Sequence, residues 1–330
     1  MAQQFSSTAP LRVGILGAAK IAPAALIEPA RSMPEVQVAA VAARDLSRAQ
    51  AYATTNGIPA AYDSYEALLA QPDIDAIYNA LPPSRHADLT IAALRAGKHV
   101  LCEKPFAMNA VEARAMVDAG TQSGRVLMEA FHYRYHPLFG ALLDTVRSGQ
   151  LGRLESIAAT FVVPIPVRDG ELRFDTALGG GCLMDMGTYC VHWCRTVAGR
   201  EPHVSAAAMR MGATGVDLHT TATLDFGAGL TASIDCGMDA PFTARLEIVG
   251  SAGRLTANNP LAPQFGNQVR LEVNGEPVVT REYERTPSYA FQLAAFVAAV
   301  RAGELPVTAG EDCVAQMAVL DAIARTARRS

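Results

Sequence analysis

Five short apolar runs alternate with helical patterns across the first 130 residues, and no other feature limits the fold as strongly. They are Leu11–Gly17, Val36–Ala43, Ile74–Asn79, Val100–Cys102 and Val126–Glu129, too short for helices and bounded by breakers. Between them, Leu46–Thr54, Ser84–Ala96 and Met108–Ser123 carry helical spacing, and the last two end at Gly97 and Gly124. Strands that alternate with helices predict a parallel, doubly wound α/β sheet. Ligands of such sheets sit beyond the carboxyl ends of the strands, so residues there are the first functional candidates.

At the first strand end lies Gly17-Ala18-Ala19-Lys20-Ile21-Ala22, a G-x-A-x-x-A version of the dinucleotide fingerprint in its strand–turn–helix setting. Alanine at the third position leaves a pyrophosphate less room than glycine would, and a plain βα turn is the competing reading. Pro29 is expected to shorten or kink the helix that follows. After the second strand stands Arg44, where an NAD-binding unit usually carries an acid for the ribose 2′-hydroxyl. Arginine suits a 2′-phosphate, which favours NADP with NAD still possible, and Asp45 is read as a helix cap. Asn79 closes the third run before Leu81-Pro82-Pro83, and His86 falls in the next first turn, as a packing or capping histidine or as part of the cofactor site.

Ala96-Gly-Lys-His-Val-Leu-Cys-Glu-Lys-Pro105 delivers Glu103 and Lys104 to a fourth strand end. Pro105 fixes its own φ and restricts Lys104 to extended geometry. A lysine held there can hydrogen-bond a substrate oxygen and help move its proton. The plain alternative is a surface lysine before a turn proline.

Glu129-Ala-Phe-His-Tyr-Arg-Tyr-His-Pro137 reads as a hinge into a second domain, which divides the chain into residues 1–130 and 131–330. His132 and Arg134 can reach a substrate cleft or simply pack the joint. Further on, Gly179-Gly-Gly-Cys-Leu-Met-Asp-Met-Gly-Thr-Tyr-Cys-Val-His opens a helix on which Asp185, Tyr189 and His192 share one face at i, i+4 and i+7. Such a stripe is costly to bury unpaired and suits a polar cleft. Tyr189 can relay a proton to a carbonyl or alkoxide oxygen, and Asp185 can orient Lys104 or bind a substrate hydroxyl. From His203 to Tyr283 the pattern is β, with a tight Asn274-Gly275 hairpin, and predicts a large open, mostly antiparallel sheet. Leu230–Cys236 reads as too apolar for an open surface, so a homodimer or dimer of dimers on that sheet is expected. Two helices, Ser288–Arg301 and Gly310–Arg328, close the chain, and the last is a candidate to pack back on the first domain.

At 330 residues, half of them hydrophobic and 18% charged, the composition is that of a globular protein of two domains. A formal net charge of −4 provides no general attraction to nucleic acid or anionic membrane. Met1–Pro10 lacks the charged start and apolar run of a signal peptide, and Phe291–Val300 is too short to span a bilayer. The six cysteines form no C-x-x-C pair, so no metal is indicated. A cytoplasmic protein with reduced cysteines is the expectation.

The turn Gly17–Ala22, the stretch Ala96–Pro105, the run Glu129–Pro137 and Asp185-x-x-x-Tyr189 together resemble the glucose–fructose oxidoreductase, inositol dehydrogenase and MocA (Gfo/Idh/MocA) family, over nearly the whole chain. The resemblance implies an N-terminal Rossmann domain, an open-faced C-terminal α/β domain, NAD(P), and redox chemistry on sugars, polyols or diols. It also implies that Lys104 is the catalytic lysine and that Lys104–Pro105 is cis. Tyr189 and the glycine-rich run before it are similar to the dihydrodiol dehydrogenase and glucose–fructose oxidoreductase branch. Two other functions compete with an NADP(H)-dependent oxidoreductase. A non-catalytic cofactor sensor would need neither Lys104 nor Tyr189, and a cofactor-assisted glycosidase would recycle its nicotinamide.

Overall fold

The computed structural model describes residues 9–168 and 170–329; the polar start before Ala9 lies outside them. The chain folds into two compact units. One takes the chain up to Phe131 together with Tyr289–Val314, and the other takes His132–Ser288 with the chain from Ala315 on. The sequence sets the division after residue 130, with the last helix as a candidate to pack back on the first domain. Tyr289–Val314 instead folds with the first unit. There Glu129 N–H donates to the Thr308 carbonyl at 2.9 Å, Thr308 Oγ1 donates to the Glu129 carbonyl at 2.7 Å, and Arg114 grips Glu311 with both Nη atoms.

The first unit is a six-stranded parallel sheet: β1 Leu11–Leu16, β2 Val36–Ala42, β3 Ala60–Tyr62, β4 Ala76–Asn79, β5 His99–Cys102 and β6 Leu127–Glu129, in the order 3-2-1-4-5-6. β3 is an edge strand of three partly exposed residues, too short to stand out as an apolar run. Burial on both faces explains the unbroken apolar runs of the inner strands. In the first helix, Glu28 N–H reaches back five residues to the Pro23 carbonyl. That widened turn sits just before Pro29, which has no N–H to continue a regular ladder. Asp45 caps Leu46–Asn56 by accepting from Arg48 N–H at 2.8 Å, as expected.

The entry to β5 is pinned by two residues of the Ala96–Pro105 stretch. Lys98 Nζ donates to the carbonyls of Gln71 (2.5 Å) and Ile74 (2.7 Å), and His99 Nδ1 accepts from Val126 N–H at 3.0 Å. These contacts hold the strand in place before it emerges at Lys104.

The second unit is an eight-stranded sheet. Its strands are β7 Leu154–Val162, β8 His203–Met211, β9 Asp217–Asp225, β10 Thr231–Gly237, β11 Thr243–Gly250, β12 Gly253–Asn258, β13 Gln268–Val273 and β14 Val279–Arg281, in the order 14-13-12-11-7-10-9-8. Only β7 and β10 run parallel. Trp193, Tyr133 and Phe139 lie fully buried in its core. The Asn274-Gly275 connection is looser than the motif suggests. Glu276 N–H closes a turn on Val273, but pairing starts only at Leu271↔Val279, because Pro277 has no N–H to offer the ladder. The expectation that Leu230–Cys236 presents an apolar open face does not hold. Ala232, Ile234 and Cys236 point into the core while Thr231 and Ser233 face out, as a two-residue period requires. No helix among the described residues is long and apolar enough to cross a membrane.

His99 yields a stability prediction. Burial pushes its imidazole from the ordinary 6.5 down to about 4, with Arg125 acting in the same direction. The folded ring is therefore neutral where the unfolded one takes a proton. Its stabilisation is complete above pH 6.5 and is lost as pH falls towards 4. Urea unfolding at pH 7 and pH 4.5 should show that His99→Gln removes part of this acid sensitivity, up to about 3 kcal/mol. Equal losses in variant and wild type would refute it.

Candidate active site

Ala42, Leu16, Asn79, Cys102 and Glu129 are paired across five neighbouring strands, so the strand ends lie level. Gly17, Arg44, Leu81 and Lys104 come within two residues past that row. Gly17 has φ of +93°, and a Cβ there would lie 2.8 Å from Leu81 Cδ2, so the turn tolerates little else. Ala18 and Ala19 are half-buried, Lys20 and Ile21 exposed, and Ala22 buried. Tyr52 Oη donates to the Ala19 carbonyl at 2.9 Å, and burial pushes its phenol up to about 12.

Arg44 is exposed at the end of β2. Tyr65 stands beside it: burial raises its phenol, and the guanidiniums of Arg44, Arg85 and Arg48 pull the other way. The Arg85 guanidinium sits 5.9 Å above the Tyr65 ring. Three arginines about one half-buried aromatic form a cationic platform suited to a phosphate.

Asn79 is fully buried; its Nδ2 donates to Thr90 Oγ1 at 3.1 Å and its Oδ1 accepts from Leu81 N–H at 3.4 Å. His86 is buried between two carbonyls, Nδ1 at 2.9 Å from Pro105 O and Nε2 at 2.7 Å from Leu81 O. Burial lowers its pKa, and the Lys104 ammonium adds to this. It ties the Leu81-Pro82 loop to the residue after Lys104. Glu103 accepts from Tyr78 Oη at 2.5 Å and donates its N–H to the Asn79 carbonyl at 3.0 Å. Lys104 is half-buried, and the Lys104–Pro105 bond is cis.

In the second unit Leu183–Gly187 forms a widened turn that runs into the helix Thr188–Ala198. Its start is fixed by Asp217, whose Oδ2 accepts from Leu183 N–H (2.8 Å), Cys182 Sγ (2.9 Å) and Thr220 Oγ1 (2.7 Å). Gly181, at φ +115°, lets the chain pass against that carboxylate; a Cβ would strike Oδ1. The far side of the helix is fastened through Gln316, which donates to the Thr188 carbonyl at 2.7 Å and accepts from Arg195 at 3.0 Å.

Each polar group of the expected stripe has a partner inside this unit. Asp185 Oδ2 accepts from Arg173 Nε at 2.5 Å, and Arg173 Nη1 also donates to Glu171 at 2.9 Å. Tyr189 Oη lies 3.3 Å from His132 Nε2, and His192 is bonded to the Tyr133 hydroxyl. Arg134, half-buried, lays its guanidinium 5.9 Å from the centre of the Phe139 ring. Among the described residues no group of three or more His, Cys, Asp or Glu could hold a metal ion.

Residues 11–131 match the model of the oxidoreductase family with an NAD-binding Rossmann fold, and residues 139–256 match the GFO/IDH/MocA C-terminal domain. D-xylose 1-dehydrogenase (NADP(+)) 2 of Haloferax volcanii is 39% identical over 95% of this chain and 96% of its own. The chain belongs to the Gfo/Idh/MocA family of oxidoreductases. Trans-1,2-dihydrobenzene-1,2-diol dehydrogenase of Bos taurus is 37% identical over 68% of this chain and 67% of its own. The crystal structure of KijD10, a 3-ketoreductase from Actinomadura kijaniata in complex with NADP and TDP-benzene, superposes with a TM-score of 0.90 at 31% identity, covering 96% of this chain and 98% of that one.

Sequence reading of this Gfo/Idh/MocA chain passed over Arg173, Asp217, Ser288 and the arginines that join Arg44. Arg48 lies in the first turn of the helix that follows Arg44, and a serine opening an apolar helix marks Ser288. Arg173 and Asp217 meet the Asp185 helix only through tertiary folding and carry no local signal.

Proposed function

We propose that this protein is an NADP(H)-dependent oxidoreductase that moves a hydride between the nicotinamide and a carbinol carbon of a neutral sugar, polyol or trans-diol. The observation that carries the reading is the level row of strand ends with Gly17, Arg44 and Lys104 just past it. Gly17, Ala18, Ala19, Lys20 and Ile21 form the turn that would take the pyrophosphate, with Asn79, Leu81, Pro82, His86 and Glu103 shaping its neighbour. Arg44, with Arg48 and Arg85, would take the 2′-phosphate. When bound, the nicotinamide supplies the hydride acceptor or donor. Lys104 and Tyr189 would handle the proton of the substrate hydroxyl, and Asp185 would accept a hydrogen bond from a second hydroxyl.

The carboxylates of Glu171 and Asp185 share the Arg173 guanidinium, at 2.9 and 2.5 Å. That favours hydroxyl donors over a phosphate or carboxylate substrate. It supports a neutral sugar such as the xylose named for the Haloferax relative, ahead of a nucleotide-linked ligand such as the TDP-benzene in the KijD10 complex. We further propose a cytoplasmic homodimer or dimer of dimers through the second-unit sheet. Ser156, Thr231, Ser233, Thr221 and Thr223 give the outer face of β7, β10 and β9 a short, uncharged middle, with Asp225 and the His219–Asp235 pair beside it. Sedimentation velocity at micromolar concentration should show more than a monomer.

A panel of aldoses, polyols and trans-diols, assayed with NADP and NAD at 340 nm, tests the main reading. Oxidation of at least one neutral member with NADP is expected, and no net absorbance change with any would favour the cofactor-recycling glycosidase. In the same assay Arg44→Ala should weaken NADP by about 1.5–3 kcal/mol, the scale for hydrogen bonds to charged groups, and spare NAD. Equal loss for both would remove the 2′-phosphate assignment.

Lys104→Met and Tyr189→Phe should each lower kcat by roughly 10²–10⁴, the usual range for acid–base groups. If the two serve one proton transfer, the double variant should be scarcely worse than the worse single one, with NADP binding near wild type. Strictly multiplicative losses would assign them separate roles.

A further inference from the structure

The structure places a second hydroxyl behind Tyr189, through a histidine. His132 Nε2 lies 3.3 Å from Tyr189 Oη, and its Nδ1 lies 2.7 Å from Ser288 Oγ. Ser288 Oγ in turn donates to the Leu261 carbonyl at 3.4 Å. Tyr189, His132 and Ser288 are 5%, 4% and 0% exposed, so bulk water does not compete for these contacts. The two rings meet edge to face with centroids 5.9 Å apart.

A carbonyl can only accept, so with the Ser288 proton on Leu261 the serine oxygen is left to accept from His132 Nδ1–H. A neutral imidazole protonated at Nδ1 presents a lone pair at Nε2, which accepts the Tyr189 hydroxyl proton. The arrangement is a phenol, an imidazole and an orienting hydroxyl in series, all inside one unit.

We propose that His132 is the proton partner of Tyr189 and that Ser288 is the residue that sets its tautomer. The proposal rests on the reading that Tyr189 exchanges a proton with the substrate oxygen. In the oxidative direction the substrate O–H bond breaks as its proton moves to the Tyr189 oxygen. The Tyr189 O–H bond breaks in concert as that proton moves to His132 Nε2. The C–H bond's electron pair leaves with hydrogen as hydride to the nicotinamide, so substrate CH–OH becomes C=O and the released proton rests on His132. The imidazolium keeps its Nδ1–H on Ser288. In the reductive direction the same protons move in reverse, and His132 restores the Tyr189 hydroxyl as that hydroxyl protonates the developing alkoxide. His132 acts only through Tyr189, and a packing role for its ring predicts none of this.

The test uses the full-length enzyme, NADP and the neutral substrate that the panel identifies, with single-turnover nicotinamide reduction as the readout. His132→Gln keeps the size and a hydrogen-bonding end but cannot take a proton. It should slow the reaction by about 10²-fold, the lower range for acid–base groups, with KM within about threefold of wild type. Ser288→Ala, a smaller change that keeps the ring, should slow it by about tenfold. Added to Tyr189→Phe, His132→Gln should cost nothing further, because its partner is already gone. In mixtures of H2O and D2O the wild-type rate should fall along a curve, as two protons in flight require, and the His132→Gln rate along a straight line. A His132→Gln or Ser288→Ala enzyme within twofold of wild type would overturn the proposal, as would a cost of His132→Gln that multiplies with Tyr189→Phe. Tyr189→Phe with full activity would overturn both the Tyr189 reading and this proposal. A crippled Tyr189→Phe beside a fully active His132→Gln would sink the proposal alone.

Discussion

The level pairing of Ala42, Leu16, Asn79, Cys102 and Glu129 is the constraint on which the first unit depends. Parallel strands in register bring five different loops to one edge at the same height. Each of those loops then needs only one or two residues of special chemistry. Gly17 bends without a Cβ, Asn79 braces the Leu81 turn from beneath, and Glu103 is fixed through Tyr78 and the Asn79 carbonyl. Lys104 stands at the end of a strand whose entry is pinned by Lys98 and His99. The cost is two cationic or titratable groups taken partly out of water. Both are placed away from the strand end, where they orient the chain and leave the chemistry to Lys104.

The second unit positions its helix differently, through one buried carboxylate. Asp217 gathers three donors at the point where the chain enters Leu183–Gly187, and a buried carboxylate with three donors has little freedom left. Gln316 and Arg195 hold the opposite side. The helix therefore cannot rotate to bring Asp185 or Tyr189 elsewhere without breaking a network at each end. Arg173 adds a movable element, since its side chain is 42% exposed while Asp185 is 19% exposed. A solvent-reaching arginine can exchange Asp185 for another partner at modest cost, whereas Asp217 cannot exchange its donors.

What the sequence shows and what it hides divide along the same line. The parallel sheet was legible because inner strands buried on both faces leave unbroken apolar runs, and β3 was not, because an edge strand of three half-exposed residues leaves none. The inward alternation of β10 was hidden: Leu230, Ala232, Ile234 and Cys236 lie between small polar residues, so average hydrophobicity overstated what the surface would show. The return of Tyr289–Val314 to the first unit depends on Thr308 meeting Glu129, a pairing across 179 positions. Lys104, Asp185 and Tyr189 were legible because spacing and strand-end position are local properties. Arg173 and Asp217 were not, because their contacts arise only on tertiary folding, and Ser288 shows locally as a helix start while its meeting with His132 spans 156 positions.

Three of the buried histidines, His86, His99 and His132, show how backbone and side-chain partners differ. His99 accepts a backbone N–H at Nδ1, and its pKa near 4 keeps that nitrogen unprotonated. His86 stands between two carbonyls, which can only accept. A neutral ring has one N–H to give them, and burial opposes the second proton. In both cases the backbone partner has a fixed polarity, so the ring is locked and serves as a brace. His132 stands between two side-chain hydroxyls, and a hydroxyl can donate or accept. Its partners can change direction when a proton moves, and the backbone carbonyl of Leu261 at the far end biases the resting direction without preventing the change. Proton mobility requires neighbours whose polarity can reverse, and among these three histidines only His132 has them on both sides.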